Sequence, residues 1–168
     1  MSTLVVGLGN PILGDDGAGW RIAEAVACRL PIQSGCVTEA GQSYSPEDQS
    51  VSVECLGVGG LSLMEHMIGY DRAILVDTIL TGKHATGTIY CFPLHELPDL
   101  KTGHLSSTHD TTLQNALQVG QSMGAVLPDE ITIVAVEARC VYDFSDELTP
   151  PVATAVPIAV KMIMELLK

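Results

Sequence analysis

The chain has 168 residues, 46% hydrophobic but only 4% aromatic, and a net charge of −12. That length predicts a single domain over 1–168, with a core of Val, Ile, Leu, Ala and Met. The acidic balance argues against a general nucleic-acid binder, whose affinity rests on Lys and Arg neutralising phosphates. No signal segment or apolar run of membrane-spanning length is evident, and the odd number of scattered cysteines (Cys28, Cys36, Cys55, Cys91, Cys140) lacks any C-x-x-C pair. A cytoplasmic protein with reduced, mostly buried cysteines is expected, without a structural zinc cluster.

The first element is the apolar run Leu4-Val5-Val6, a buried strand that ends at Gly7 and Gly9, with Asn10-Pro11 forming a tight turn. Beyond it Ala23, Val26, Ala27 and Leu30 recur at helical spacing. Asp15 and Asp16 stand just before this helix. Either both cap its free N–H groups, or one holds a metal cation above the strand's carboxyl end, where open α/β sheets bind ligands. A dinucleotide fingerprint fits poorly, because Ile12 takes the place of the third glycine and two aspartates repel a pyrophosphate.

Residues 31–50 are polar and rich in Ser, Gly and Pro, which reads as a long surface excursion. Val51–Leu56 alternates as a second strand, ending at the glycine loop Gly57-Val58-Gly59-Gly60. A short helix through Leu61, Leu63, Met64 and Met67 ends at Gly69. The run 73–76 is a third strand that continues into Asp77. A carboxylate closing such a run either caps a loop, pairs with a cation or binds metal, because burying it alone costs several kcal/mol.

Thr88–Phe92 is a fourth strand, close enough to the third to pair with it as an antiparallel hairpin. A further helix carries Leu113, Ala116, Leu117 and Met123 on one face, with Ser107 or Thr108 as its cap. That start puts His109 in the first turn, where the helix dipole keeps imidazole neutral and able to ligate metal; the plain alternative is a solvent-facing side chain. His104 is the weaker candidate. Ile131–Val136 is the fifth strand, followed by an acidic connection through Glu137. Thr149 caps the last helix, in which Pro157 imposes a kink or a break into two helices.

This alternation predicts an α/β fold in three layers, α/β/α, with a twisted, mostly parallel five-stranded sheet and helices on both faces. If the first and third strands are parallel neighbours, Asp16 and Asp77 share one crevice and the loop carrying His109 closes it. Two carboxylates and an imidazole suit a divalent cation.

Three stretches resemble the hydrogenase maturation endopeptidases: GLGNPILGDDGAGWRIAEAV at 7–26, ILVDTI at 74–79 and SSTHDTTLQNAL at 106–117. The resemblance implies an endopeptidase that removes the C-terminal extension of a [NiFe] hydrogenase large-subunit precursor once nickel is in place. It puts the metal ligands, and the metal-mediated catalysis, on Asp16, Asp77 and His109, with no separate nucleophile. Gly9, Asn10, Gly57, Gly59 and Gly60 fall on the loops that face the substrate. Two departures stand out: Asp16 replaces the Glu of some members, and the Gly57–Gly60 loop lacks the aspartate that often precedes its glycines. The nickel is supplied by the substrate; zinc or cadmium is expected to occupy the isolated site weakly. The partner is the large-subunit precursor, with no nucleic acid and no membrane. Two alternatives remain: a chaperone that binds the nickel-loaded precursor without cutting it, and a peptidyl-tRNA hydrolase, which shares the GLGNP turn but needs an early histidine and a basic surface.

Overall fold

The computed structural model describes residues 1–30, 50–96, 112–139 and 141–168, together with the backbone of 42–44. The elements in chain order are β1 (Ser2–Leu8), α1 (Ala18–Ala27), β2 (Gln42–Tyr44), β3 (Ser50–Leu56), α2 (Gly60–Met67), β4 (Arg72–Ile79), β5 (Ile89–Pro93), α3 (Leu113–Ser122), β6 (Glu130–Glu137) and α4 (Pro150–Leu166). Short 3-10 turns at Gly14–Gly17 and Leu94–Glu96 join them.

The sheet order is β2-β3-β1-β4-β6-β5. β3, β1, β4 and β6 run parallel, and β2 and β5 are antiparallel edges. Alternation along the central strands feeds two cores. Val5, Ile74, Val76, Val134 and Val136 pack with Ile22 and Val26 of α1 and Val152 and Ile163 of α4. Leu4, Val6, Leu75 and Ile133 pack with Leu63 and Met67 of α2 and Leu113 and Ala116 of α3. The result is the expected three-layer α/β/α arrangement. No helix of the described residues is long and apolar enough to cross a membrane.

The structure departs from the sequence reading in several places. The sheet has six strands, because Gln42–Tyr44, inside the polar 31–50 excursion, adds an antiparallel edge to β3. The expected hairpin does not form: β5 pairs with β6, since β6 takes the place beside β4 and completes parallel pairing on both its flanks. α4 runs unbroken through Pro157, which is exposed. Its ring lies on the exposed side of the helix, while Ala159, Val160 and Ile163 are buried. Met123 is 81% exposed rather than part of the α3 core face, because the helix ends at Ser122. Nor are the cysteines mostly buried. Cys28 and Cys91 are exposed and Cys55 is half-buried; Cys36 and Cys140 lie outside the described residues.

Candidate functional site

The site lies at the carboxyl ends of β3, β1 and β4, where two glycine turns meet. The N–H of Gly9 donates to Leu56 O at 3.2 Å, and the same carbonyl accepts the indole N–H of Trp20 at 3.2 Å. Gly57 lies beside the Gly9 carbonyl, with room for a Cβ at an ordinary contact distance of 3.5 Å from the oxygen. Gly9 has φ +126°, and a side chain there would overlap the backbone carbonyl of Asp16. That close approach folds Asp16 back over the turn, and its Oδ2 accepts the Asn10 N–H at 2.7 Å. Gly59 takes the N-cap position of α2, and Gly60 follows at φ +53°. The two expected substrate loops are therefore neighbours.

The adjacent aspartates do different work, and neither caps α1. The cap position is Gly17, with no side-chain bond to the helix start. Asp15 is fully buried, and its carboxylate reaches Thr149: Oδ1 accepts the Thr149 N–H at 2.7 Å and Oδ2 accepts the hydroxyl at 3.0 Å. Thr149 does hold the N-cap position of α4, but its hydroxyl is turned to Asp15 instead of the helix. Asp15 thus has a bonded partner on each oxygen, and Asp16 is the one that lies against the Gly9-Asn10 turn.

β1 and β4 are parallel neighbours as expected, with Gly7 opposite Val76. The next residue of β4 is Asp77, 1% exposed, whose Oδ1 accepts the N–H of Thr78 at 2.8 Å. By strand alternation it shares a sheet face with Leu75 and Ile79, the face covered by α2 and α3. The cap of α3 is Thr112, which accepts the Asn115 N–H, rather than Ser107 or Thr108. The backbone of Thr112 is extended (ψ 151°), and α3 begins after it. His109 and His104 lie outside the described residues. Among the described residues no group of three or more His, Cys, Asp or Glu is placed to hold a metal ion.

A further buried carboxylate, in the acidic connection after the fifth predicted strand, ends β6. Glu137 pairs with Ile79 in the sheet register and is 2% exposed. It accepts hydrogen bonds from the Thr81 N–H (2.9 Å), the Thr81 hydroxyl (2.5 Å), the Gly82 N–H (2.9 Å) and the Tyr90 hydroxyl (2.8 Å). Burial pushes its carboxyl up, but these bonds prevail and hold it below its ordinary 4.5. His84 Nδ1 continues the chain to Tyr90 Oη at 2.8 Å. The signal that marked Asp77, a charge following an apolar run, marks Glu137 equally well. On β3, burial and the Glu24 charge push the Cys55 thiol up to about 11, a poor setting for a nucleophile.

Comparison with known proteins gives this geometry its context. Residues 35–166 match the family model of the HycI hydrogenase maturation protease. The chain belongs to the hydrogenase maturation protease family. It is 29% identical to the hydrogenase 2 maturation protease of Escherichia coli over 100% of this chain and 92% of that protein. With the hydrogenase expression/formation protein HupD of Rhizobium leguminosarum the identity is 27%, over 98% of this chain and 73% of HupD. The structure of the hydrogenase maturating endopeptidase HybD from E. coli superposes with a TM-score of 0.72 at 28% identity, covering 99% of this chain and 92% of that one. Family membership also decides between the two enzyme likenesses of the GLGNP turn, in favour of the maturation proteases.

Proposed function

We propose that this chain is the endopeptidase that removes the C-terminal extension of a [NiFe] hydrogenase large-subunit precursor after nickel insertion. The supporting observation is a pair of carboxylates near the carboxyl ends of neighbouring strands: Asp16 folded over the Gly9-Asn10 turn after β1, and Asp77 in the last part of β4's parallel pairing, two residues before its end. In this reading the nickel is part of the substrate. Asp16, Asp77 and His109 receive it, so that only metal-loaded precursor is seated with its scissile bond over the glycine turns. Hard carboxylate oxygens and one imidazole suit a borderline divalent cation. The bound nickel polarises the scissile carbonyl or a water, and no side-chain nucleophile is required. Added zinc or cadmium occupies the same side chains weakly when substrate is absent.

The test is to incubate the protein with large-subunit precursor, with and without nickel, and weigh the products. Loss of a C-terminal peptide from the nickel-loaded precursor alone is the expected result. Nickel-dependent binding with both chains intact would instead make the protein a chaperone.

A further inference from the structure

Among the described residues, the turn after β1 and the loop before α4 carry large apolar side chains on the surface. Phe144 is 86% exposed, Tyr142 76% and Ile12 53%. Ile12 lies two residues from Asn10 in the turn that Asp16 folds over. Leu13 and Ser145 form a parallel bridge, in which the Ser145 N–H donates to Ile12 O at 3.1 Å and the Gly14 N–H to Ser145 O at 2.7 Å. The bridge joins the two segments at the residues that directly follow Ile12 and Phe144, so the backbone of the turn and that of the loop run side by side there.

The connection carrying these residues is tied down from several sides. Ser145 Oγ accepts the Glu147 N–H at 3.0 Å, Arg21 donates to Asp146 O at 3.2 Å, and the Asp15 carboxylate holds Thr149. Such a loop has ample backbone bonding to keep its shape, yet its largest side chains contribute almost nothing to the core. Exposed aromatic side chains on a pinned support match the anchors that dominate protein interfaces. The surrounding charge indicates what they meet. Asp143, Asp146 and Glu147 are exposed around Phe144, against Arg139 and an Arg21 whose guanidinium is engaged on the loop backbone.

We propose that Ile12, Tyr142 and Phe144 form a docking shelf for a segment of the protein substrate that carries a large apolar side chain flanked by lysine or arginine. The inference rests on the reading of this chain as a precursor-processing endopeptidase. It adds a device that sets register: the shelf shares the backbone of residues 12–16 with Asp16, so a segment anchored on Phe144 is positioned relative to the carboxylate.

The experiment measures processing of nickel-loaded large-subunit precursor by the wild type, Phe144→Ser, the double variant Asp143→Asn/Asp146→Asn, and Met123→Ser. Met123 is a control, equally exposed but located at the C-terminal end of α3. Phe144→Ser is expected to raise KM about tenfold or more, with melting temperature unchanged. The double Asn variant is expected to weaken the rise of KM with added salt, and Met123→Ser to behave as wild type. A Phe144→Ser KM within twofold of a wild type that does process the precursor would overturn the shelf and leave the enzymatic reading standing. A wild type that neither binds nor cuts the precursor would remove both. Sedimentation of each variant gives a further outcome: if Phe144→Ser dissociates a dimer without moving KM, the shelf belongs to a second copy of this chain and the substrate proposal is wrong.

Discussion

Asp15 and Thr149, 134 positions apart, are joined by two hydrogen bonds that fasten the loop after β1 to the start of α4. Asp16, the next residue, turns the other way and accepts the Asn10 N–H. Two adjacent carboxylates thus serve different contacts: Asp15 fastens α4, and Asp16, the proposed nickel ligand, lies against the Gly9-Asn10 turn.

Asp15→Ala should cost stability. It leaves the Thr149 N–H and hydroxyl without their acceptor, at about 1–3 kcal/mol, and in a domain of this size that lowers the melting temperature by roughly 3–10 °C. Asp16→Ala removes the part-buried bond to the Asn10 N–H, worth about 1 kcal/mol, and should abolish processing. Melting curves and processing assays on both variants check these roles. Asp15→Ala without loss of stability, or processing retained by Asp16→Ala, would contradict them.

Asp77→Asn should keep the fold, because the amide oxygen still accepts the Thr78 N–H that the carboxylate accepts at 2.8 Å. Removing the charge relieves repulsion between carboxylates at neighbouring strand ends, so the melting temperature should hold or rise. Processing should fall by orders of magnitude. An unfolded variant would make Asp77 a structural residue.

Much of this was legible in the sequence because it depends on local pattern. The runs at 4–6, 73–76 and 131–136 are apolar on both faces and became the buried parallel centre of the sheet. The parallel neighbouring of β1 and β4, which brings the turn before Asp16 and the strand of Asp77 to one edge, followed from it. What sequence could not show were contacts made at long range. Asp15 looks like a helix cap because Asp is a good cap locally, but its partner comes from the far end of the chain. The short β2 has no periodicity of its own and exists through pairing with β3. Glu137 was legible but overlooked. It follows an apolar run just as Asp77 does, and the residues that satisfy it, Thr81 and Tyr90, are distant in sequence.

Glu137 sets an expected pH dependence. Its carboxyl is held below its ordinary 4.5, so the stability it contributes is fully present above that value and is lost as pH falls through the lower, folded-state value. Glu137→Gln should be less stable than wild type at pH 7, by about 1–3 kcal/mol, and the gap should close below about pH 4.5. Urea midpoints at several pH values between 3 and 7 measure it. A gap that persists at pH 3 would mean that shape, and not charge, carries the contribution.

Cys55 should resist alkylation. A thiol pushed up to about 11 is ionised at roughly one part in a thousand at pH 8, and half-burial slows access further. Iodoacetamide at that pH should label exposed Cys28 well before Cys55, as read by peptide mass mapping. Equal labelling would show that the α1–β3 contact opens readily.

The central claim is that Asp16 and Asp77 together receive the nickel of the substrate. It is tested most directly by the affinity of the protein for nickel-loaded and nickel-free large-subunit precursor, measured side by side for wild type, Asp16→Asn and Asp77→Asn. Wild type should bind the loaded form at least tenfold more tightly, and each variant should lose that preference while binding the nickel-free form as wild type does. A preference for nickel that survives both substitutions would contradict the account.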